Sequence, residues 1–593
     1  MRFQSLVVVC LGLSIGFYVY SQESQDVLVN ALKDELARSL SELQLEDEPK
    51  PYFISYAVNE AHSSSVTAVL GAVTTENALT QRLLSVSIRV GNANLDNSNF
   101  GAPGLMVYTS NLPVTDSYDE LRRVIWQATD IAYKEAVSTL ASKKTALKSR
   151  TEEKTLADFS TEEQFKFEDP NFAQVLDFDY ETLSDRVIKL SGVALGDTAI
   201  QTSSTTGTFF QTARTYLDSQ ENFHRVVSRS CTLQTHASLQ LPNGRIIKDV
   251  NTSYAETCEL LPNIDKLIAS QTLFMASLDS LQDAEELESY AGPVLFEDRA
   301  TADFLVQMLL SRLSARPELV ADAQMMGFAQ FPENPFEGKV GRRVFPKFLS
   351  LANDPLLTSF NDAALLGSYI VDAEGMPARR TELIQDGELK TLLTTRVPVE
   401  DMTQSTGSNR LQSGALPGNL LVTSTETSSR DELIELLLEL ADDSGEDFGI
   451  IVRRIQNPDE LAPDFNTMMS AVQGAMAGSL NVFPTLEAFK IYPDGSEVPI
   501  LPATFANVND SVLRDIVAVS NVESAFNVPI TFQSTIALFS LSNIFAVGAL
   551  NPSFVGVVTP ALLIEEIELS DAGGDKPKLP IVPHPLLESS TNY

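Results

Sequence analysis

The sequence predicts an α+β protein, with helices and strands mixed in the first half and strands dominating the second. Three observations carry this. Residues 27–45 and 116–144 repeat apolar side chains at helical spacing. Short alternating runs accompany them, such as Leu84, Val86, Ile88 and Val90, which suit a half-buried strand. Past residue 360, hairpin-type turns crowd together at Asp372-Ala-Glu-Gly375, Asp386-Gly387 and Asp494-Gly495.

The elements follow in order. Arg2 and the apolar run Leu6 to Tyr20 read as a secretory signal peptide over 1–21, with Val19 and Ser21 at the −3 and −1 positions of the cleavage. At about 1.5 Å per residue the run reaches roughly 22 Å, short of a roughly 30 Å bilayer core. An uncleaved anchor is the other reading. No later run is apolar and long enough for a helix to span, so no stable membrane insertion is expected after cleavage. The mature chain is expected in the periplasm, the cell envelope or outside the cell. A helix over 27–45 carries Leu28, Leu32, Leu36, Leu40 and Leu43, and Pro49 and Pro51 end it. Strands are expected at Phe53–Val58, Ser65–Val73 and Leu84–Val90. The helix over 116–144 has the stripe Leu121, Ile125, Ala128, Ala132, Ala136 and Leu140, with Trp126 beside it.

Residues near 145–170, rich in Lys, Glu and Thr, read as an exposed connector. Further helices are expected at 180–192, at 260–286 and from Asp298, the last closed by Arg316-Pro317. Paired strands are expected over 206–256 around the Asn243-Gly244 turn. Leu366–Val371 and Thr381–Arg396 read as strands. Ser429 with Glu432 is a capping-box signature ahead of a leucine-rich helix. The tail over 571–593 is Pro- and Gly-rich and reads as an extended arm.

Composition narrows the function. A chain of 593 residues with 44% apolar and 20% charged residues is globular and long enough for several domains. Its 79 acidic against 42 basic residues give a net charge of −37, which repels phosphate backbones and opposes nucleic-acid binding. Four histidines and three cysteines restrict metal chemistry. No HExxH, no G-x-S-x-G and no phosphate-binding glycine loop occurs. His224 and His236 fall in a strand-rich stretch and meet only if a hairpin brings them together. Asp442-Asp-Ser-Gly-Glu-Asp447 lacks the spacing of a calcium loop and reads as a solvated helix end. Export removes Cys10, and the pair left, Cys231 and Cys258, is compatible with a disulfide or with two free buried thiols.

Taken together, a set of segments resembles the TldD/PmbA family, known as modulator of DNA gyrase and related to a zinc protease. In the first half these are Pro51-Tyr-Phe-Ile-Ser-Tyr56, Ile88-Arg-Val-Gly91, Leu95-Asp-Asn97, Leu121-Arg-Arg-Val-Ile-Trp126 and Ala132-Tyr-Lys134. In the second they are Gly292-Pro-Val-Leu-Phe296, Asp372-Ala-Glu-Gly375-Met-Pro377, Leu383-Ile-Gln-Asp-Gly387, Ser405-Thr-Gly407-Ser-Asn409-Arg410 and Pro560-Ala-Leu-Leu-Ile-Glu-Glu-Ile-Glu568. The resemblance implies an N-terminal α/β domain with a mixed sheet over 22–290 and a β-rich, barrel-like C-terminal domain over 291–570.

It also implies a zinc site, and there the chain departs. Catalytic members carry HExxxH on the helix after the Gly-Pro-Val-Leu segment, with a cysteine from the C-terminal half. Here that helix reads Ala302-Asp-Phe-Leu-Val-Gln-Met-Leu-Leu-Ser-Arg312, with Leu305, Val306 and Leu310 about the degenerate zinc positions, and no cysteine follows Cys258. No cofactor is therefore expected, and no catalytic or metal-ligating residue is assigned. The resemblance implies a homodimer or a heterodimer with a related subunit, and a partner role toward unfolded polypeptide. Asp372, Glu374, Gly375, Thr406, Gly407, Asn409 and Arg410 are the candidates for lining a groove; the plainer reading is turn geometry. The expected function is a non-catalytic, zinc-less subunit that pairs and helps bind polypeptide. The alternatives are an active peptidase using other residues, or a cell-envelope scaffold. Direct modulation of gyrase ranks last.

Overall fold

The computed structural model describes residues 26–100, 107–148, 156–172, 178–317, 320, 334–410, 414–463, 468–469, 482–506, 508–531, 553–582 and 584–588. The expected signal peptide and Cys10 lie outside the described residues.

The first half builds one eight-stranded sheet from β1 (Pro51–Val69), β2 (Ala72–Asn92), β3 (Leu95–Asp96), β4 (Val107–Asn111), β5 (Lys166–Glu168), β6 (Ile200–Asp218), β7 (Phe223–Gln240) and β8 (Ile246–Ala255). The order is β3-β2-β1-β6-β7-β5, with β4 on β2 and β8 on β7. Alternation along β1 assigns its two faces. Ile54, Tyr56, Val58, Val66 and Ala68 point to the apolar side. There, α1 (Val27–Glu42) and α2 (Tyr118–Lys148) cover one end and α3 (Tyr180–Ser191) and α4 (Ile264–Ser280) the other. The Asp26 side chain caps α1 by accepting from the Val29 N–H at 3.1 Å. Leu28, Leu32 and Leu36 then meet Leu121, Ile125 and Ala128 of α2 as the stripes require. Trp126 faces outward and is 49% exposed.

The second half centres on β23 (Phe554–Asp571). Its other strands are β9 (Ser289–Phe296), β10 (Leu349–Asn353), β11 (Ser359–Phe360), β12 (Ala363–Ala364), β13 (Thr381–Gln385), β14 (Glu388–Leu389), β15 (Asn409–Arg410), β16 (Gly414–Ala415), β17 (Asn419–Ser424), β18 (Gly449–Ile455), β19 (Thr485–Ile491), β20 (Glu497–Pro499), β21 (Ala503–Ala506) and β22 (Ile516–Pro529). Ten of them form with β23 an eleven-stranded mixed sheet of order β14-β13-β10-β17-β23-β9-β18-β19-β20, with β21 and β22 also on β23. Two helices sandwich it. In β9, Val294 and Phe296 face the core shared with α5 (Asp298–Leu309), while Leu295 faces Leu433 and Leu437 of α6 (Arg430–Asp443). The fold is α+β with two sheet-centred halves. The path of the second sheet is open, so the barrel-like expectation is corrected: among the described residues its end strands β14 and β20 do not pair.

Other expectations need correction. Ser65–Val73 is not one strand: the chain reverses at Leu70 (φ 48°) and Gly71 (φ 80°), so β1 and β2 form one long hairpin. The 206–256 stretch holds a second reversal between β6 and β7, giving three strands rather than two. Leu366–Val371 is irregular: Gly367 presses against the Gly418 carbonyl and the Gly556 N–H, leaving no room for a side chain. The strand expected over Thr381–Arg396 stops at Gln385, turns, and resumes only for Glu388–Leu389. Within the expected exposed connector, α2 runs on to Lys148, and Asp158, Phe159 and Ser160 are buried. The capping box at Ser429 and Glu432 is present.

Candidate functional site

α5 is the helix on which the resemblance places the zinc motif. Every residue from Ala300 to Leu309 is buried. Leu305, Val306 and Leu310 are at most 3% exposed and pack in one apolar cluster with Phe296, Phe304 and Leu313. None of these side chains carries a lone pair suited to a metal, so this helix does not fit zinc. Among the described residues no group of three or more His, Cys, Asp or Glu is placed to hold a metal ion.

The polar residues of α5 serve other ends. Gln307 gives its Nε2–H to the Gln456 carbonyl at 3.1 Å and accepts the Phe483 N–H at 2.8 Å. Arg299 pairs with Asp303 at 3.2 Å and with Glu460 at 2.8 Å. Glu460 also accepts from the Tyr254 hydroxyl of β8 at 2.6 Å. Burial pushes the Asp303 carboxyl up to about 6, against the pull of Arg299. Helix, first sheet and the turn at 457–460 are thus joined by one compensated seam.

The two motif turns predicted as a groove do come together. Asp372 is their hub: its Oδ1 accepts the N–H groups of Glu374 (2.8 Å) and Met376 (2.9 Å), and its Oδ2 that of Asn409 (3.0 Å). The Ala373 N–H returns a bond to the Asn409 carbonyl at 2.8 Å. Burial, then the charge of Glu374, raise the Asp372 carboxyl to about 7, while the three backbone donors oppose the rise. Gly375 (φ 82°) lies against the Tyr216 ring, and Gly407 (φ 68°) against the Pro377 carbonyl, where a Cβ would not fit. Thr406 bonds within its loop to Thr394, and Arg410 gives Nη1–H bonds to the carbonyls of Pro417 (2.6 Å) and Phe554 (2.8 Å). Glu374 accepts the Arg396 N–H at 2.9 Å. These polar groups are turned toward the protein's own backbone.

Against these turns lies the other face of the first sheet. Arg214 donates to the Ala373 carbonyl at 2.9 Å, and Tyr216 to Asp218 at 3.2 Å. Sequence reading missed a stacked contact here. The Phe159 ring sits between the guanidinium groups of Arg89 and Arg396, each 3.9 Å from its centroid. Beside it Lys143, fully buried, pairs with Asp158 at 2.7 Å. Phe159 lies 70 residues from Arg89 and 237 from Arg396, and no local pattern marks such a meeting.

His224 and His236 share strand β7, so no hairpin brings them together; twelve residues at about 3.4 Å keep them about 40 Å apart. His224 stacks on Tyr216 at 4.8 Å, and burial, then Arg214, hold its imidazole well below its usual range. Cys231 of β7 and Cys258, just after β8, are joined as a disulfide with a Cα–Cα distance of 5.1 Å. A separate cleft of about 310 Å³ opens between the β11–β12 hairpin and the β22 bulge, with Asn361, Ser424, Thr427, Asn521 and Glu523 in its wall and no residue of α5.

Residues 289–473 match the PmbA/TldA metallopeptidase C-terminal domain. No curated protein matches the chain. Three solved structures share its fold, each at 14% identity. A proposed modulator of a DNA gyrase from Thermotoga maritima has a TM-score of 0.55, covering 87% of this chain and 96% of that one. TldE from Thermococcus kodakarensis has 0.53, covering 92% and 100%. A proposed modulator of DNA gyrase from Bacteroides thetaiotaomicron has 0.57, covering 92% and 98%. The chain thus carries a segment matching the PmbA/TldA metallopeptidase C-terminal domain and shares its fold along most of its length with the three solved structures.

Proposed function

We propose that this chain is a zinc-less, non-catalytic member of the family, exported, that pairs with itself or a related subunit and helps bind polypeptide. One observation carries the reading: at the helix where catalytic relatives hold their metal, Leu305, Val306 and Leu310 fill a packed apolar core. A ligand set cannot be restored there by a rotamer change, because the donor atoms are missing. The seam through Arg299, Asp303 and Glu460 further fixes the helix against both halves. Export rests on the leader-like first 21 residues and suits the joined Cys231 and Cys258. The polypeptide role rests on the family alone.

A cleavage assay on unstructured polypeptide, run with the purified mature protein with and without chelator, tests this. No turnover in either arm is expected. Chelator-sensitive cleavage that follows the protein through purification overturns the reading. Sedimentation over a range of concentrations tests pairing: a dimer, or a mixed dimer with a histidine-bearing relative, is expected, and a monomer under all conditions contradicts it.

A further inference from the structure

β2 is the longest strand of the first sheet, yet only part of its outer edge is used. On one side β1 pairs with it from Ala72 to Val90. On the other, β4 pairs only with Leu83–Ser87 and β3 only with Gly91–Asn92. Among the described residues no strand pairs with the outer edge of Ala72–Thr80, and all nine of these residues are exposed. Their outward N–H and C=O groups form a ready ladder about 30 Å long. Edges are usually blunted by Lys, Pro, a bulge or a covering loop. This one reads Ala-Val-Thr-Thr-Glu-Asn-Ala-Leu-Thr, with Glu76 as its single charge. It is also held in place: at the hairpin tip the Gly71 N–H bonds to the Ser191 hydroxyl at the end of α3 (3.0 Å), and His62 Nδ1 meets the Thr80 hydroxyl across the two strands (3.1 Å).

We propose that this edge takes an extended, cationic polypeptide segment as an added strand. The inference rests on the polypeptide-binding reading above and gives it a place. An unpaired ladder selects an extended backbone, and pairing through main-chain bonds tolerates many sequences. The charge selects a basic one: the edge carries Glu76 and the protein a net −37. At this edge a second copy of this chain is disfavoured, because it would bring Glu76 rather than a cation to the ladder. An antiparallel self-pairing centred on Glu76 would also set two carboxylates opposite each other.

The test uses the mature full chain and a labelled nine-residue peptide of alternating lysine and valine. Two further versions carry N-methyl groups on the odd or on the even backbone nitrogens. Each methylated set lacks the donors of one strand edge while keeping charge and composition. The expected result is binding of the plain peptide, with at least a tenfold loss for one methylated version and not the other. Hydrogen exchange should slow at residues 72–80 on binding, and Glu76→Lys should weaken binding several-fold. Equal binding of all three peptides, no binding of any, or protection confined elsewhere overturns the proposal. So does protection of 72–80 that rises with protein concentration alone, which would mark self-pairing. Metal-dependent cleavage would sink the zinc-less reading while leaving this measurement intact.

Discussion

Helix α5 and the joined turns at 372–377 and 405–410 are both buried, but their interiors differ. α5 is held by apolar side chains, with Phe304, Leu305 and Val306 at most 1% exposed. The turns are held by a carboxylate, Asp372, that gathers three backbone N–H groups. The difference teaches what burial can mean for a site. In α5 the positions about Leu305, Val306 and Leu310 offer no donor for a metal, and its Asp303 and Gln307 are engaged with protein partners; in the turns donors and acceptors abound but are spent on the chain's own backbone.

Substitutions sharpen the contrast, from the largest effect to the smallest. Val306→Asp puts an unpaired carboxylate into the dry α5 core and is expected to abolish folding, or to cost upward of about 4 kcal/mol. A normal urea midpoint would show that α5 can open to water. Phe304→Ala removes a ring stacked on Phe296 and should cost about 3–5 kcal/mol in urea unfolding. Asp372→Asn replaces an acceptor oxygen by an amide that faces a backbone N–H, so a loss of about 1–3 kcal/mol is expected. Asn409→Ala should cost less than about 1 kcal/mol, because the Asn409 contribution to the hub is its main chain.

The turn region should also respond to pH with a definite sign. The folded Asp372 carboxyl is raised to about 7, above its unfolded value of about 4. The folded state therefore binds that proton more tightly. Its contribution is fully present below about pH 4 and is lost as pH rises through about 7. Urea midpoints for the wild type relative to Asp372→Asn should fall across that window. A difference that does not change with pH would mean that Asp372 is ionised throughout.

Much of this was readable before the fold. The helix stripes at 27–45, 116–144 and 429–440 translate into α1, α2 and α6 because periodic burial is a local property of sequence. The motif residues around Asp372 and Asn409 stand out in the sequence, and the positive φ of Gly375 and Gly407 follows from turn chemistry. The long β1–β2 hairpin does not stand out, because Leu70-Gly71 is a weak turn signal and Leu70 adopts a left-handed backbone that leucine rarely takes. The Arg89–Phe159–Arg396 stack was invisible for another reason: its members are distant in the chain, and each looks like an ordinary surface or connector residue. The use of Arg299 and Asp303 as a seam likewise depends on Glu460, which no spacing on α5 reveals.

The zinc content of the purified mature protein, measured by elemental analysis after equilibration with zinc and removal of loosely held ions, tests the central claim most directly. The account predicts far less than one zinc per chain, because Leu305, Val306 and Leu310 have no donor atoms and Asp303 is already paired with Arg299. One firmly held zinc per chain, lost together with a change in α5 hydrogen exchange on chelation, would contradict it.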